Sequence, residues 1–298
     1  MKLLLLLATT FALLSCGTNS PQSTLKKPSY TTKTNASFNL PSCAGSLSEQ
    51  AQRRTFAAPP RLKASDIHST YWPLLTALGK KTNICFEIKH HQKHSDYLSS
   101  LQSQIIDYSV MCPFEQARRE DTYKPLIRDE KKRIKGIIVA NKDSGINKIN
   151  DVQNQTFLAP FGTAFGGTLL TKAYLEANGL DLPFRYVRTH QNVYRAVAND
   201  EDFIGGGVLG TYQREHENLK SQLTIIAETQ EFAAHPFSAS KQLPKSEHQA
   251  IQEAWMELSQ DKKYSSTLEK AKITRPVPSN YANDYAAIAE LGLQKYIQ

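Results

Sequence analysis

The stretch LAPFGTAFGGTLL, Leu158–Leu170, sets three glycines and two threonines between an apolar run and a helical pattern. A turn that leaves a strand and opens a helix presents backbone N–H groups with no intrahelical acceptor. Here those groups belong to Thr163 through Gly167. They carry the positive end of the helix dipole and suit an anion. Thr163 and Thr168 add hydroxyl donors, and glycine lets the backbone come close to a ligand. An ordinary strand-to-helix turn, its glycines serving packing, fits the same residues, and both alternatives stand. A nucleotide loop does not fit. Gly162 and Gly167 have Walker A spacing, but Thr168 follows where that loop needs Lys. A dinucleotide fingerprint needs two glycines two apart, and Gly162 and Gly166 are four apart.

Other groups are weaker. HHQKH, His90–His94, has no acidic or Cys partner close by, so no metal is expected there. No coupled nucleophile, base and orienting residue is evident, so neither an enzyme nor a cofactor is expected. Cys43, Cys85 and Cys112 match no zinc spacing. They read as small apolar residues; a Cys85–Cys112 pair is the alternative, with Cys43 in a tether.

These groups need elements to hold them. RTFAAPP (Arg54–Pro60), NICFEIK (Asn83–Lys89), IIDYSV (Ile105–Val110) and IKGIIVA (Ile134–Ala140) read as strands. STYWPLLTALG between them is a helix with Gly79 as its stop. SDYLSSLQSQ is a short helix capped by Ser95 or Asp96. The pattern restarts with strand TFLAP, a helix from Gly166 to Asn178 ended by Gly179, strand FRYVR, helix QNVYRAVAND, and strands FIGGGVL and LTIIAE. Ile251, Ala254, Trp255 and Leu258 mark a last helix. Alternating strands and helices predict an α/β fold with mainly parallel sheets, in two lobes.

The chain has 298 residues, 36 basic and 28 acidic, for a net charge of +8. The basic residues are dispersed, as in DEKKRIKG (Asp129–Gly136), so no nucleic-acid stripe forms. A mild positive charge favours anionic ligands by steering. The leader MKLLLLLATTFALLSCGTNS has one Lys and an apolar core from Leu3 to Leu14. That core is too short to span a bilayer and fits a secretory signal. Its end, Leu13-Leu14-Ser15-Cys16, resembles a bacterial lipobox, in which the chain is cut before a Cys that carries diacylglycerol. A plain signal peptide with an incidental Cys is the alternative. Residues from Gly17 to about Gln50 are rich in Ser, Thr, Asn, Pro and Lys and read as a flexible tether.

VANKDSGINKINDVQNQTFLAPFGTAFGG (Val139–Gly167) resembles a segment of the phosphate/phosphite/phosphonate-type substrate-binding proteins of ABC transporters. That segment has the pattern V-x-K-D-S-x-I-x-x-L-x-D-L-x-G-K and then a G/N-S-T-S-G loop. THQNVYRAVAND (Thr189–Asp200) is similar to the family's G-x-H-x-x-A-x-x-A-V-A-N-G helix, and DYLSSL and DYSVMCPFEQA fall in the same order. The resemblance covers roughly residues 53 to 260. It implies a two-lobed type II periplasmic-binding-protein fold joined by two hinge strands, near Val139–Asp143 and Ala233–Ser240. The implied division is a signal peptide at 1–15, a tether at 16–52, lobe 1 at 53–140 and 235–298, and lobe 2 at 141–234.

The same resemblance implies the ligand residues: Tyr97 in lobe 1, the loop positions Thr163, Ala164, Phe165 and Gly166, then His190, with His235 at the return. Three departures stand out. Ala164 and Phe165 replace hydroxyl residues, Ile134 falls where the family has a second tyrosine, and Gly210 and His235 align with carboxylates of aminoalkylphosphonate binders. A buried ammonium without a carboxylate is costly, so the ligand expected is a small oxyanion or an organic anion with an apolar part. His190 and His235 would face it, and a histidine beside an anion gains its proton readily. Plainer roles remain open: Tyr97 covering lobe surface, His190 capping its helix, His235 serving only the hinge. The implied function is a monomeric, membrane-anchored capture component, exported and held through acylated Cys16. It would sit on the periplasmic side of a membrane or the outer face of a single-membrane cell. Its partners are a permease with its ATPase. A ligand-sensing or partner-binding lipoprotein on the same scaffold is the alternative.

Overall fold

The computed structural model describes residues 43–60 and 63–297. The expected signal peptide at 1–15, the anchor Cys16 and most of the 16–52 tether lie outside the described residues.

The chain opens with β1 (Ala44–Gly45), β2 (Gln52–Ala57), α1 (Ala64–Thr82), β3 (Ile84–Ile88), α2 (His94–Gln102), β4 (Tyr108–Val110), α3 (Pro113–Ala117) and β5 (Tyr123–Asp129). Next come β6 (Arg133–Asn141) and β7 (Thr156–Ala159), then a π-turn, Phe165–Leu170, running into α4 (Thr171–Ala177). β8 (Phe184–Tyr186), α5 (His190–Asn199), β9 (Phe203–Val208), α6 (Leu209–Tyr212), α7 (Glu217–Lys220) and β10 (Leu223–Ala233) follow. The chain returns through β11 (Phe237–Ser240), α8 (Lys245–Gln260), α9 (Ser265–Lys270), β12 (Pro276–Pro278), α10 (Tyr281–Asp284) and α11 (Ala286–Glu290).

Two sheets result, ordered β1-β3-β2-β4-β11-β5-β12 and β10-β6-β9-β7-β8. Both are mixed rather than mainly parallel. Parallel pairing holds for β2 with β3 and β4, and for β7 with β8 and β9; the other pairs are antiparallel. The chain crosses between sheets after Asp129 and returns after Ala233. The expected lobe 1 limit of 140 thus falls inside β6, whose Ile134 to Asn141 pair with β10. Its Ile137–Ala140 run is apolar because both faces are covered there: Ile137 and Val139 join one core, Ile138 and Ala140 the other.

Asp129 fixes the first crossing. Its carboxylate accepts from the amides of Lys131 and Lys132 at 3.0 Å, Thr274 at 2.7 Å and Arg275 at 3.1 Å, and from the Thr274 hydroxyl at 3.0 Å. Burial pushes its pKa up, but these bonds outweigh it and hold the carboxyl below its ordinary value.

The end of the expected tether is ordered. Cys43 forms a disulfide with Cys85 (Cα–Cα 5.4 Å), and Ala44–Gly45 pair with β3. This corrects both the tether limit of 52 and the reading of these cysteines as plain apolar residues; Cys112 is the buried thiol among the described residues. Helix α1 passes through Gly79, which was expected to stop it, and ends at Asn83 with φ 55°. A side chain at Gly79 would meet the Gly45 Cα at 2.7 Å, so the glycine serves the packing of β1 on α1. Helix α2 follows Lys93 without a side-chain cap from Ser95 or Asp96. The apolar stripe of α8 buries Ile251, Ala254, Trp255 and Leu258 beside Phe56, Leu74 and Phe237. Each such large side chain contributes roughly 1.5–3 kcal/mol.

Candidate functional site

Strands β7, β8 and β9 run parallel, so their carboxyl ends share one rim. The turn after β7 contains Phe161–Ala164. The Ala164 carbonyl accepts from both Thr168 N (2.8 Å) and Leu169 N (3.1 Å), the signature of a π-turn. Thr168 is not a ligand donor; its buried hydroxyl donates to the Phe161 carbonyl at 2.8 Å and closes the loop. Thr163 is the half-buried hydroxyl residue of the turn.

Gly167 explains how His190 reaches this turn. A Cβ on Gly167 would lie 2.6 Å from His190 Cε1 and 3.0 Å from Nδ1, so the ring rests directly on the glycine. Gly206 on β9 permits the same approach from below, since a Cβ there would strike the Gly167 carbonyl and lie 2.8 Å from Thr171 Oγ1. The cap of α5 is Thr189, whose hydroxyl accepts from Asn192 N at 3.1 Å. His190 is therefore not the capping residue. Arg188, beside it, is held at φ 74°, a strained conformation for a residue with a side chain.

Tyr194 ties the third strand end to α5. Its hydroxyl accepts from Val208 N at 3.1 Å and lies 2.8 Å from Thr211 Oγ1. Burial, partly offset by these bonds, pushes its pKa up to about 12. At the start of α6, Gly210 stands 3.7 Å, measured to an ideal Cβ, from an Arg214 guanidinium nitrogen.

Two apolar departures pack together away from solvent. Phe165 and Ile134 are 4% and 8% exposed and share a cluster with Phe232, Leu169 and Tyr285. The Phe165 and Phe232 rings lie 5.7 Å apart. Gly166 faces Val208 and Ile134.

Tyr97 is fully buried in the first-sheet lobe. Its hydroxyl lies 2.8 Å from Ser109 Oγ, and Ser109 donates to the Ala57 carbonyl at 2.8 Å. Ser109 has one proton, so Tyr97 donates to it and would have to leave it to donate to an anion. His235 is half-buried in the return crossing. That crossing is fixed by Tyr285 OH on the Ala234 carbonyl (2.8 Å) and Met111 N on the Pro236 carbonyl (3.0 Å). The structure thus joins Thr163, Ala164, Gly166 and His190 in one arrangement, with Phe165 turned into the core. Among the described residues no group of three His, Cys, Asp or Glu is arranged to hold a metal.

Sequence inspection missed Lys172, Tyr186, Arg188 and Arg214. Lys172 Nζ lies 3.8 Å over the Phe184 ring and 3.5 Å from Tyr186 OH. Burial holds its pKa below the ordinary lysine value.

Two lobes, paired crossings and a turn at the strand ends define a periplasmic binding protein. The sequence profile described as "ABC transporter, phosphonate, periplasmic substrate-binding protein" matches residues 56–285, and the chain belongs to that family. It is the substrate-binding component of a transporter and not an enzyme, and the family is exported. The fold is similar to a Xanthomonas citri protein bound to chloride ion, with TM-score 0.72 and 14% identity over 82% of this chain and 98% of that one. It is also similar to PhnD1 of Prochlorococcus marinus in complex with methylphosphonate (TM-score 0.66, 13%, 83% and 99%). A binding-protein component of a Pseudomonas aeruginosa ABC phosphonate transporter gives 0.63, 14%, 83% and 88%. No curated protein matches the sequence at a significant level.

Proposed function

We propose that this protein is the membrane-anchored capture component of an ABC importer for a small anion. The ligand is phosphonate-, phosphite- or phosphate-like, or an organic oxyanion with an apolar part. The observation that carries this reading is the His190 ring resting on Gly167, where the turn after β7 runs into the helix. Arg214 beside Gly210 adds positive charge where binders of aminoalkyl ligands are expected to carry an acid. His235 completes the set from the return crossing, while Tyr97, its hydroxyl held on Ser109, supports the first-lobe side without donating to the ligand. Capture proceeds by lobe closure, in which the ligand shifts the population toward the closed state. A permease with its ATPase receives the ligand, and the protein acts as a monomer. The anchor is acylated Cys16, at 1–15 cleavage. Two acyl chains or more on one residue hold a protein stably at a membrane surface.

The test is a thermal-shift and calorimetric panel on the full chain in detergent, with phosphate, phosphite, methylphosphonate, sulfate and organic anions. One or more of these anions raises the melting temperature in a concentration-dependent way. If only neutral or cationic solutes do so, the anion assignment is wrong. Cys16→Ala should release the protein from the membrane fraction; retention there overturns the anchor.

A sensing or partner-binding role on the same scaffold is the second reading. It is favoured by Phe165 in the core and by Tyr97 held on Ser109. A chain that binds its anion yet supports no uptake when joined to the permease would establish it.

A further inference from the structure

Helix α4 begins at the loop and carries Lys172 in its first turn and Glu176 one turn later. Residues four apart on a helix are natural ion-pair partners. Glu176 is engaged elsewhere: it pairs with Lys295 and accepts from Tyr296 OH at 2.7 Å. Among the described residues no ion pair involves Lys172. Its ammonium stands 3.8 Å over the Phe184 ring and 5.7 Å from the Tyr186 ring, and 3.5 Å from the Tyr186 hydroxyl.

Lysine only donates, so the Tyr186 oxygen accepts from it and the phenolic proton points elsewhere. That hydroxyl lies 3.5 Å from where a Cβ on Gly162 would stand, and Tyr186 is 42% exposed. Tyr186 is the last residue of β8 and pairs with Ala159, the last residue of β7. The hydroxyl is therefore at the same strand-end rim as the loop. The result is a phenol donor strengthened by an ammonium behind it, facing the outer edge of the Phe161–Ala164 turn. Ala164 and Phe165 have removed hydroxyls from the inner edge, so the donors of the turn are shifted toward Gly162.

We propose that Lys172 and Tyr186 form a second anion subsite, next to the one at the turn and His190, and that the ligand carries two anionic groups. The class is a small doubly anionic molecule, such as a phosphonocarboxylate or a diphosphate. The proposal rests on the anion reading of the turn. Phe184 fixes the ammonium so that little motion is lost on binding.

The test uses the full chain in detergent and three probes: methylphosphonate, phosphonoacetate and pyrophosphate. Wild type binds phosphonoacetate or pyrophosphate about tenfold tighter than methylphosphonate, the factor for one charge-assisted contact. Lys172→Met removes that preference and leaves methylphosphonate affinity within about twofold. Tyr186→Phe removes part of it and guards against a misfolded lysine variant. Equal loss for all three probes, or no loss for any, overturns the second subsite. If His190→Ala weakens methylphosphonate while Lys172→Met changes nothing, the turn survives and only the second subsite falls. If no anion binds wild type, both fall.

Discussion

The two sheets of the molecule treat their polar groups differently. On the first-sheet side they bond to one another. Tyr97 donates to Ser109, which donates to Ala57. Gln116 bridges Ser238 and Tyr123, and Tyr123 OH donates to the Ile106 carbonyl at 2.7 Å. Buried Glu115 pairs with Arg119. At the strand-end rim of the second sheet, Lys172, Arg188 and Arg214 take part in no ion pair among the described residues, and Tyr186 is exposed. The Tyr97–Ser109–Ala57 and Ser238–Gln116–Tyr123 chains of hydrogen bonds rigidify a wall. Unpaired cations at a rim retain their charge for an incoming partner. On the proposed function, the second lobe selects the ligand and the first supports it.

The largest way to break this division is to weaken the first lobe alone. The Cys43–Cys85 link closes a sequence separation of 42, and loop entropy puts its loss at roughly 4 kcal/mol. The Cys43→Ser/Cys85→Ser variant should lose stability on that scale in a denaturant titration, with anion affinity at 15 °C within about twofold. A parallel fall in affinity would show that the two faces are not separable.

Asp129 comes next, because it sits where the chain passes between the sheets. Asp129→Ala removes the acceptor for the part-buried amides of Lys132, Thr274 and Arg275 and should cost about 1–2 kcal/mol. Its lowered folded pKa sets the sign with pH. The contribution is complete above the ordinary carboxylate value, near 3.8, and is lost as pH falls through the still lower folded value. Acid unfolding of wild type should converge on the variant once pH falls below that lowered folded value. Curves that stay parallel would exclude this carboxylate as the cause.

A paired substitution sharpens the comparison directly. His190→Ala should weaken anion binding about tenfold with little change in melting. Tyr97→Phe should leave binding within about twofold and cost about 1 kcal/mol of stability, because it removes a buried donor to Ser109. Calorimetry and melting on both variants decide the matter; the reverse pattern would return the ligand to the first lobe.

What the sequence disclosed follows the same line. The turn was legible because glycines and threonines sit between a strand and a helix, and local chemistry alone points to its amides. The α8 stripe was legible from helical spacing. The π-turn was not, since a double acceptor at Ala164 has no composition signal. Gly79 read as a stop because nothing local announces a distant β1 packing on it. Cys43 read as tether because its polar neighbours outweigh a partner 42 residues away. Tyr97 resembled a ligand residue by position, whereas its hydroxyl partner depends on β4 lying beside β2. Lys172 escaped notice because its sequence neighbour Glu176 looks like its partner and is held by Lys295 instead.

The smallest effect tests whether the second rim attracts ligand before contact. Arg214 is exposed and near Gly210, and Arg188 lies at the end of the neighbouring strand β8. Exposed charges act mainly through long-range steering, which salt screens over about 10 Å at 0.1 M. Arg214→Ala should therefore slow anion association about two- to threefold at 10 mM salt, with dissociation unchanged. At 0.5 M salt the difference should vanish. Stopped-flow rates at the two ionic strengths separate the cases. A salt-independent loss in the dissociation rate would make Arg214 a direct contact, and the rim would then hold the ligand as well as draw it in.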